Sequence, residues 1–377
     1  MYTKIRQQIA NLPSGHGLVV GFVVLVLLSV FAAAASGYYF LAGIPAALLV
    51  VYLAIVDFKP LYWLLIACIP ISTEIQLPNG LGTDLPTEPL IVGLMLLFGL
   101  FMLRNLKQLS TDLLRHPLTL LLLLHLAWLA TTTITSDLFV VSLKFLLAKL
   151  WYVVTFFLLS AYLLRNDADF RKFFWIFFWP FIMVVAIIVV RHGLLGFSFQ
   201  GIHSIMHPFQ RNHVNYAAAL TLFFPFMILM FLRYRKWSWQ WIILLGAILL
   251  VFGAIYLSFT RAAYVALVIA GGAYLIVRWR LMKYALLGAG IAALIGVAYI
   301  VQDNTYLDFA PEYKKTVAHK DFDSLISATA KGQDVSTMER VYRWVAAFQM
   351  IGEKPVLGFG PGTFYSLYKN YAVSSFS

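Results

Sequence analysis

Charge is scarce in this sequence. Asp, Glu, Lys and Arg make up 12% of its 377 residues, against 62% hydrophobic residues, and the mean hydropathy is +0.84. A soluble globular domain carries about twice that share of charge, so soluble enzymes, disordered chains and soluble nucleic-acid-binding domains are excluded. The formal net charge of +12 is no sign of nucleic acid until it has been divided between the two sides of a membrane. Cysteine is almost missing too. Cys68 is the single one and lies in an apolar segment, which rules out an internal disulfide and any thiolate metal cluster. The chain has no HExxH pair for zinc, no internal repeat and no low-complexity tract. Nor does a small-residue cleavage site follow the first apolar stretch, Leu18 to Ala35, which Lys4 and Arg6 precede. That stretch reads as a retained helix rather than a removed signal peptide.

What fills the chain instead is one apolar run after another. A membrane-crossing helix needs about 20 apolar residues, and eleven candidate runs centre near 18–36, 38–56, 61–73, 90–103, 117–135, 145–164, 173–191, 214–232, 239–257, 262–277 and 284–301. Several are short, which tilt or local thinning of the bilayer accommodates. The expected fold is therefore an all-α polytopic membrane protein. The connecting segments alternate in charge. One set, formed by the N-terminus, Lys59, Arg104 to Arg115, Arg165 to Lys172, Arg233 to Lys236 and Arg278 to Lys283, holds 15 of the 28 Lys and Arg residues. Before residue 302 the other set holds only Lys144, Lys149, Arg191, Arg211 and Arg261. The positive-inside rule then places the N-terminus in the cytoplasm, and an odd number of crossings puts everything from Gln302 onward outside. The chain divides into a transmembrane helical domain, 1–301, and an external loop domain, 302–377, which is polar and has no spanning run. Within the latter, Ser336-Thr337-Met338-Glu339 forms a capping-box pattern. It leads into Met338, Val341, Tyr342, Val345, Phe348 and Ile351 at helical spacing. This predicts an amphipathic helix that stops near Gly352, before Pro355.

Candidate chemistry gathers at the outer membrane edge. Arg191, Arg211 and Arg261 each abut a long apolar run, and a charge at such a place is a functional hypothesis by default. The guanidinium is a planar fork of donors that matches phosphate and stays protonated. Residues 191–215 hold four of the chain's eight histidines, His192, His203, His207 and His213, together with Arg191 and Arg211. The plainer alternative is interfacial snorkelling, with the arginine heads in the headgroup layer. A zinc site is disfavoured because no carboxylate supports His203, His207 and His213. At Ser258-Phe259-Thr260-Arg261, two hydroxyls and a cationic fork sit between two apolar runs; the alternatives are an anion-binding junction and a simple interfacial turn. Lys144 and Lys149 face either a polar cavity or the interface. Glu74, Asp84 and Glu88 lie in the first sizeable outer loop. Asp321-Phe322-Asp323 has no phosphate-cradling strand around it and reads as chance, while Gly358 to Gly362 reads as a turn rather than a dinucleotide fingerprint.

Three segments in order, Phe209-Gln210-Arg211-Asn212-His213-Val214-Asn215, Ser258-Phe259-Thr260-Arg261 and Glu339-Arg340-Val341-Tyr342-Arg343-Trp344 leading to Pro355-Val356-Leu357-Gly358-Phe359-Gly360-Pro361-Gly362-Thr363-Phe364, resemble the O-antigen ligase and polymerase superfamily. The resemblance covers roughly residues 90–370. It implies a GT-C-like bundle, usually of about 12 helices, in the bacterial inner membrane. It also implies a metal-independent, cofactor-free inverting glycosyltransferase that moves a glycan from undecaprenyl pyrophosphate on the periplasmic face. The foremost acceptor is lipid A-core; polysaccharide polymerisation and protein O-glycosylation are the alternatives within the superfamily. Arg211 and Arg261 would hold the pyrophosphate, with Arg191 a third candidate or a plain interface anchor. Ser258, Thr260, His213, Asn215, Arg340 and Arg343 would support them. The family's catalytic histidine is expected shortly after the Gly-rich segment, beyond Ser377, so the chain reads as C-terminally shortened; His213 is the alternative base. Acid residues of the first outer loop offer a metal-dependent runner-up. The competing class of function is a lipid or anionic-solute transporter, for which inverted repeats would be expected.

Overall fold

The computed structural model describes residues 15–76, 82–105, 111–301 and 335–371. Its helices, in chain order, are α1 Gly15–Ser36, α2 Ile44–Val56, α3 Lys59–Cys68, α4 Thr87–Arg104, α5 Thr111–Arg115 and α6 Pro117–Ile134. They continue with α7 Phe139–Leu163, α8 Asp167–Leu194, α9 Gly201–Ser204, α10 His213–Arg233, α11 Trp239–Leu257, α12 Arg261–Arg278, α13 Met282–Val301 and α14 Val335–Glu353. Among the described residues seven helices, α4, α6, α7, α8, α10, α11 and α12, are long and apolar enough to cross a membrane. Shorter apolar helices at Val20–Ser36, Leu41–Val56, Lys59–Ile71 and Met282–Gly296 occupy the other four runs expected from the sequence. The protein is a helical membrane protein.

The all-α expectation needs one correction. Strand β1 Thr73–Gln76 pairs antiparallel with β2 Gly82–Leu85, Glu74 lying opposite Asp84. β-Branched Thr73, Ile75 and Thr83 favour extended backbone, and the connecting sequence contains Asn79-Gly80, a strong hairpin dipeptide. The hairpin is tied to the start of α4. Ser72 Oγ donates to the Leu85 carbonyl (3.1 Å) and meets Thr87 Oγ1 at 2.7 Å, while Thr83 Oγ1 donates to Glu88 Oε2 at 2.7 Å. Residues 302–334, with His319 and Asp321-Phe322-Asp323, lie outside the described residues.

The chain forms two compact units, Met1–Thr119 with Leu150–Pro180, and Leu120–Lys149 with Phe181–Ser377. In the first, Phe58, Leu61, Tyr62, Leu65 and Ile66 pack on Ile91, Leu94, Phe98 and Met102 of α4 and on Leu159 of α7. Around Leu159, α7 widens into a π-helical stretch, Val154–Leu159. There Thr155 Oγ1 donates to the Ile91 carbonyl (3.2 Å), and Ser160 Oγ donates to the Thr155 carbonyl (3.2 Å). Ser160 has one proton, so the Tyr62 hydroxyl, 2.8 Å away, is the donor in that pair. Such bonds between helices in lipid are worth about 0.6 kcal/mol each, enough to fix register but not to replace packing.

In the second unit α10 and α11 pack side by side and α12 packs on both. The buried positions of α10, Tyr216, Ala217, Leu220, Phe223, Met227 and Met230, recur every three to four residues. Leu244, Ala247, Val251, Ala254 and Ile255 of α11 do the same. One stripe per helix is thus turned inward, and the apolar remainder is left for lipid.

Candidate functional site

The last turn of α8 carries Arg191 and His192. Arg191 Nη1 donates to the carbonyls of Ile205 (3.2 Å) and His207 (2.6 Å), so this guanidinium clips the loop that follows α8 to the helix end. His192 is 1% exposed, and its Nε2 lies 3.0 Å from the Ser198 carbonyl oxygen. A carbonyl only accepts, so Nε2 carries the proton. Phe197 and Phe259 stand edge-on to the His192 ring, at centroid distances of 5.3 and 6.3 Å. Phe259 also meets Phe199 at 5.5 Å, Phe199 meets His203 at 5.5 Å, and His203 meets His213 at 4.3 Å, every pair near perpendicular.

This line of rings joins two helix starts. Phe259 sits in the turn between α11 and α12 with φ +50°, and Phe197 has φ +51°. Bulky residues in left-handed backbone cost about 1–3 kcal/mol each, and edge-to-face ring pairs return about 0.5–1.5 kcal/mol apiece. The shared packing on His192 is what holds both turns. Ser258, 0% exposed, donates its hydroxyl to the Ile255 carbonyl (2.7 Å), and Thr260, 8% exposed, donates to the Ser258 carbonyl (3.1 Å). Both hydroxyls therefore shape the turn. Thr260 is the N-cap of α12 and makes no side-chain capping bond; Arg261 is the first helical residue. At the other start, Asn212 Oδ1 accepts the Asn215 N–H at 2.8 Å, capping α10, and the exposed Arg211 stands immediately before the cap.

The starts of two packed helices are thus linked by one line of rings, with Arg261 the first residue of α12 and Arg211 just before the cap of α10. Helix N-termini present unpaired N–H groups and a partial positive charge, so fork and dipole reinforce each other toward an anion. Two polar atoms on α10, His213 Nδ1 and the Tyr216 hydroxyl, are buried without a hydrogen-bond partner among the described residues. Their i, i+3 spacing puts them on one face. Arg340 and Arg343 are carried separately, on α14, where both are exposed. Among the described residues no group of three or more His, Cys, Asp and Glu is placed to hold a metal ion.

The α11–α12 turn is where the comparison with known families takes hold. Residues 246–377 match the family model described as O-antigen ligase. No curated protein and no solved structure matches the chain. The O-antigen ligase match takes in Ser258, Thr260, Arg261, α12, α14 and the Gly358–Gly362 segment, while Arg191, Arg211 and His213 precede it. It is consistent with the superfamily that the motif order resembles, whose ligases and polymerases are glycosyltransferase-like enzymes of the membrane. Sequence reasoning counted His192 among the four histidines of residues 191–215 but gave it no role; the structure puts its ring between Phe197 and Phe259. Its only signal was position, one residue after an arginine at the end of a long apolar run.

Proposed function

We propose that this protein is a glycosyltransferase that moves a glycan from undecaprenyl pyrophosphate to an acceptor hydroxyl on the periplasmic face of the bacterial inner membrane, the foremost acceptor being lipid A-core. The observation that carries the reading is the pair of arginine-led helix starts joined by the ring line, one of them inside the O-antigen ligase match. In the reaction the acceptor oxygen attacks the anomeric carbon, the sugar–phosphate bond breaks with inversion, and its electron pair leaves on the pyrophosphate. Arg211, Arg261 and the N–H groups behind them stabilise that growing charge without a metal. Arg191 contributes by holding the loop that delivers Arg211, and His213 Nδ1 and the Tyr216 hydroxyl are free to meet a polar group of the substrate. The proton released by the acceptor needs a base. His213 is the candidate among the described residues.

Orientation follows from charge. The Lys- and Arg-rich connections face the cytoplasm, which puts Arg191, Arg211, Arg261 and the 302–377 loop domain outside, above the membrane domain 1–301. Two contacts support it, because Asp137 meets Phe359 and His192 meets Phe259, each linking segments that the charge pattern assigns to one side.

The test is transfer in proteoliposomes carrying lipid-linked glycan and lipid A-core, with chelator present. Wild type should form the covalent product. Arg261→Ala and Arg211→Ala should lower the rate by about 10²–10³-fold, the usual cost of deleting one donor to a developing oxyanion, while still inserting and folding. Transfer at the wild-type rate by either variant would refute the assignment, and movement of the lipid between leaflets without a new bond would point to a transporter.

A further inference from the structure

The segment after α14 is fastened to the turn between α6 and α7 by a dense set of contacts that the arginine site does not use. Lys354 Nζ donates to Asp137 Oδ1 at 2.6 Å and Oδ2 at 2.8 Å, and it lies 4.6 Å from the centroid of the Phe359 ring. The Phe359 carbonyl accepts the Asp137 N–H (3.2 Å) and the Ser136 hydroxyl (3.1 Å). Ser136 Oγ also accepts the Leu138 N–H at 3.1 Å and lies 2.6 Å from Ser142 Oγ. The one Ser136 proton is committed to Phe359, so Ser142 must be the donor between the two serines. Ser142 is 0% exposed, and in that dry position every proton has one place to go. On the far side of the loop, Thr363, 1% exposed, donates to the Gly360 carbonyl at 2.7 Å.

The loop has been shaped for this fit. Gly358, Gly360 and Gly362 all have positive φ, and a Cβ on Gly360 would fall 2.1 Å from Ser136 Oγ, while one on Gly362 would fall 3.1 Å from Phe145. Only glycine lets backbone and helix end approach so closely. The ion pair itself is modest, both side chains being 37% exposed, so it steers and locks a surface whose closeness comes from backbone contact.

We propose that Asp137 and Lys354, with Ser136 and Ser142, are positioning residues for the transfer reaction: they seat the Gly358–Gly362 loop, and with it the external segment that follows α14, on the outer end of the membrane bundle, and transfer requires the loop seated. This rests on the transferase reading above. None of the four residues belongs to the arginine site. Their effect is therefore on the rate of the bound complex rather than on donor binding.

The experiment uses the 377-residue chain in nanodiscs, comparing wild type, Asp137→Lys, Lys354→Asp and the exchanged double variant. Amide hydrogen exchange over residues 354–371 and kcat and KM for a lipid-linked glycan donor are read in parallel. Each single reversal places like charges together and should speed exchange and lower kcat by about tenfold, as misplacement remote from the chemistry does, with donor KM unchanged. The double variant should bring both back to within about threefold of wild type, a coupling that only contacting residues show. Unchanged exchange in the single variants would overturn the clamp. An opened clamp with undiminished kcat, or a double variant that rescues neither readout, would overturn its role in positioning. Wild type inert on the donor would sink the transferase reading and this role together, and the exchange pattern would distinguish that outcome from a clamp that never closes.

Discussion

Replacing Gly360 by alanine should lift the Gly-rich loop from its seat, and the size of the effect can be worked from the contacts. The backbone there has φ +103°, a region that residues with a Cβ enter at a cost of about 1–3 kcal/mol. The added methyl would meet Ser136 Oγ at 2.1 Å, Ser136 Cβ at 2.4 Å and Ser142 Oγ at 2.7 Å. Ordinary carbon contacts need about 3.5 Å, so the loop must retreat by roughly 1 Å. A shift of that size takes the Ser136 and Asp137 bonds to the Phe359 carbonyl, 3.1 and 3.2 Å long, beyond hydrogen-bond range, at about 1 kcal/mol each. The total is about 3–5 kcal/mol against the seated state, on the order of a hundredfold or more in its population. Gly358→Ala is the control. That residue has φ +63° and open space where the Cβ would go, so only the left-handed backbone cost of about 1–2 kcal/mol applies. Hydrogen exchange over residues 354–371 in nanodiscs reads the difference directly. Equal protection in Gly360→Ala and wild type, or equal loss in the two alanine variants, would refute the close-approach argument.

Two further outcomes follow from the arginine site. Arg191→Lys keeps the charge but offers a single ammonium in place of the fork that spans the Ile205 and His207 carbonyls; it should destabilise the loop by about 1–2 kcal/mol, seen as faster exchange of the Gln210 amide, which donates to the Met206 carbonyl. Wild-type exchange there would show that the clip is dispensable. Asn212→Ala removes the cap on α10 and should cost about 1 kcal/mol, whereas Asn212→Asp should cost much less; a thermal melt in detergent that fails to separate the two variants would count against the cap.

Helix placement was legible because it rests on local chemistry. Apolar runs act over a few residues and reappear as helices, and the amphipathic helix expected from Met338 to Ile351 appears as α14, which begins at Val335, so that Ser336 lies inside the helix rather than at its cap. The β1–β2 hairpin was missed, its residues being read as an outer loop, because a search for apolar runs has no period in which to register four-residue strands. Of the proposed arginine site, the sequence offered the cations but not the local bonding. Arg211 and Arg261 stood out by charge, yet the Ser258 and Thr260 hydroxyls, read as ligand donors, donate to the backbone carbonyls of Ile255 and Ser258. A turn inside an apolar setting must satisfy its own carbonyls before it can serve a substrate. His192 was counted in the histidine cluster without its role in the ring packing, and the Asp137–Lys354 pair could not be read at all. The latter's partners stand 217 positions apart, and nothing in a single sequence announces a contact at that range.

The bond between Asp137 and the Phe359 carbonyl also imposes a parity on the chain. Two residues that touch on one side of a membrane must be separated by an even number of crossings. Five helices long enough to span, α7, α8, α10, α11 and α12, lie between them, and five is odd. On the orientation proposed above a sixth passage is required, and α13, Met282–Val301, is the apolar helix in the right place to make it, although its apolar core of Met282–Gly296 falls among the shorter ones. The His192–Phe259 contact obeys the same arithmetic with α10 and α11 between its partners. A salt-bridged loop thereby doubles as a counting rule, one that any proposed threading of this chain through a bilayer has to satisfy.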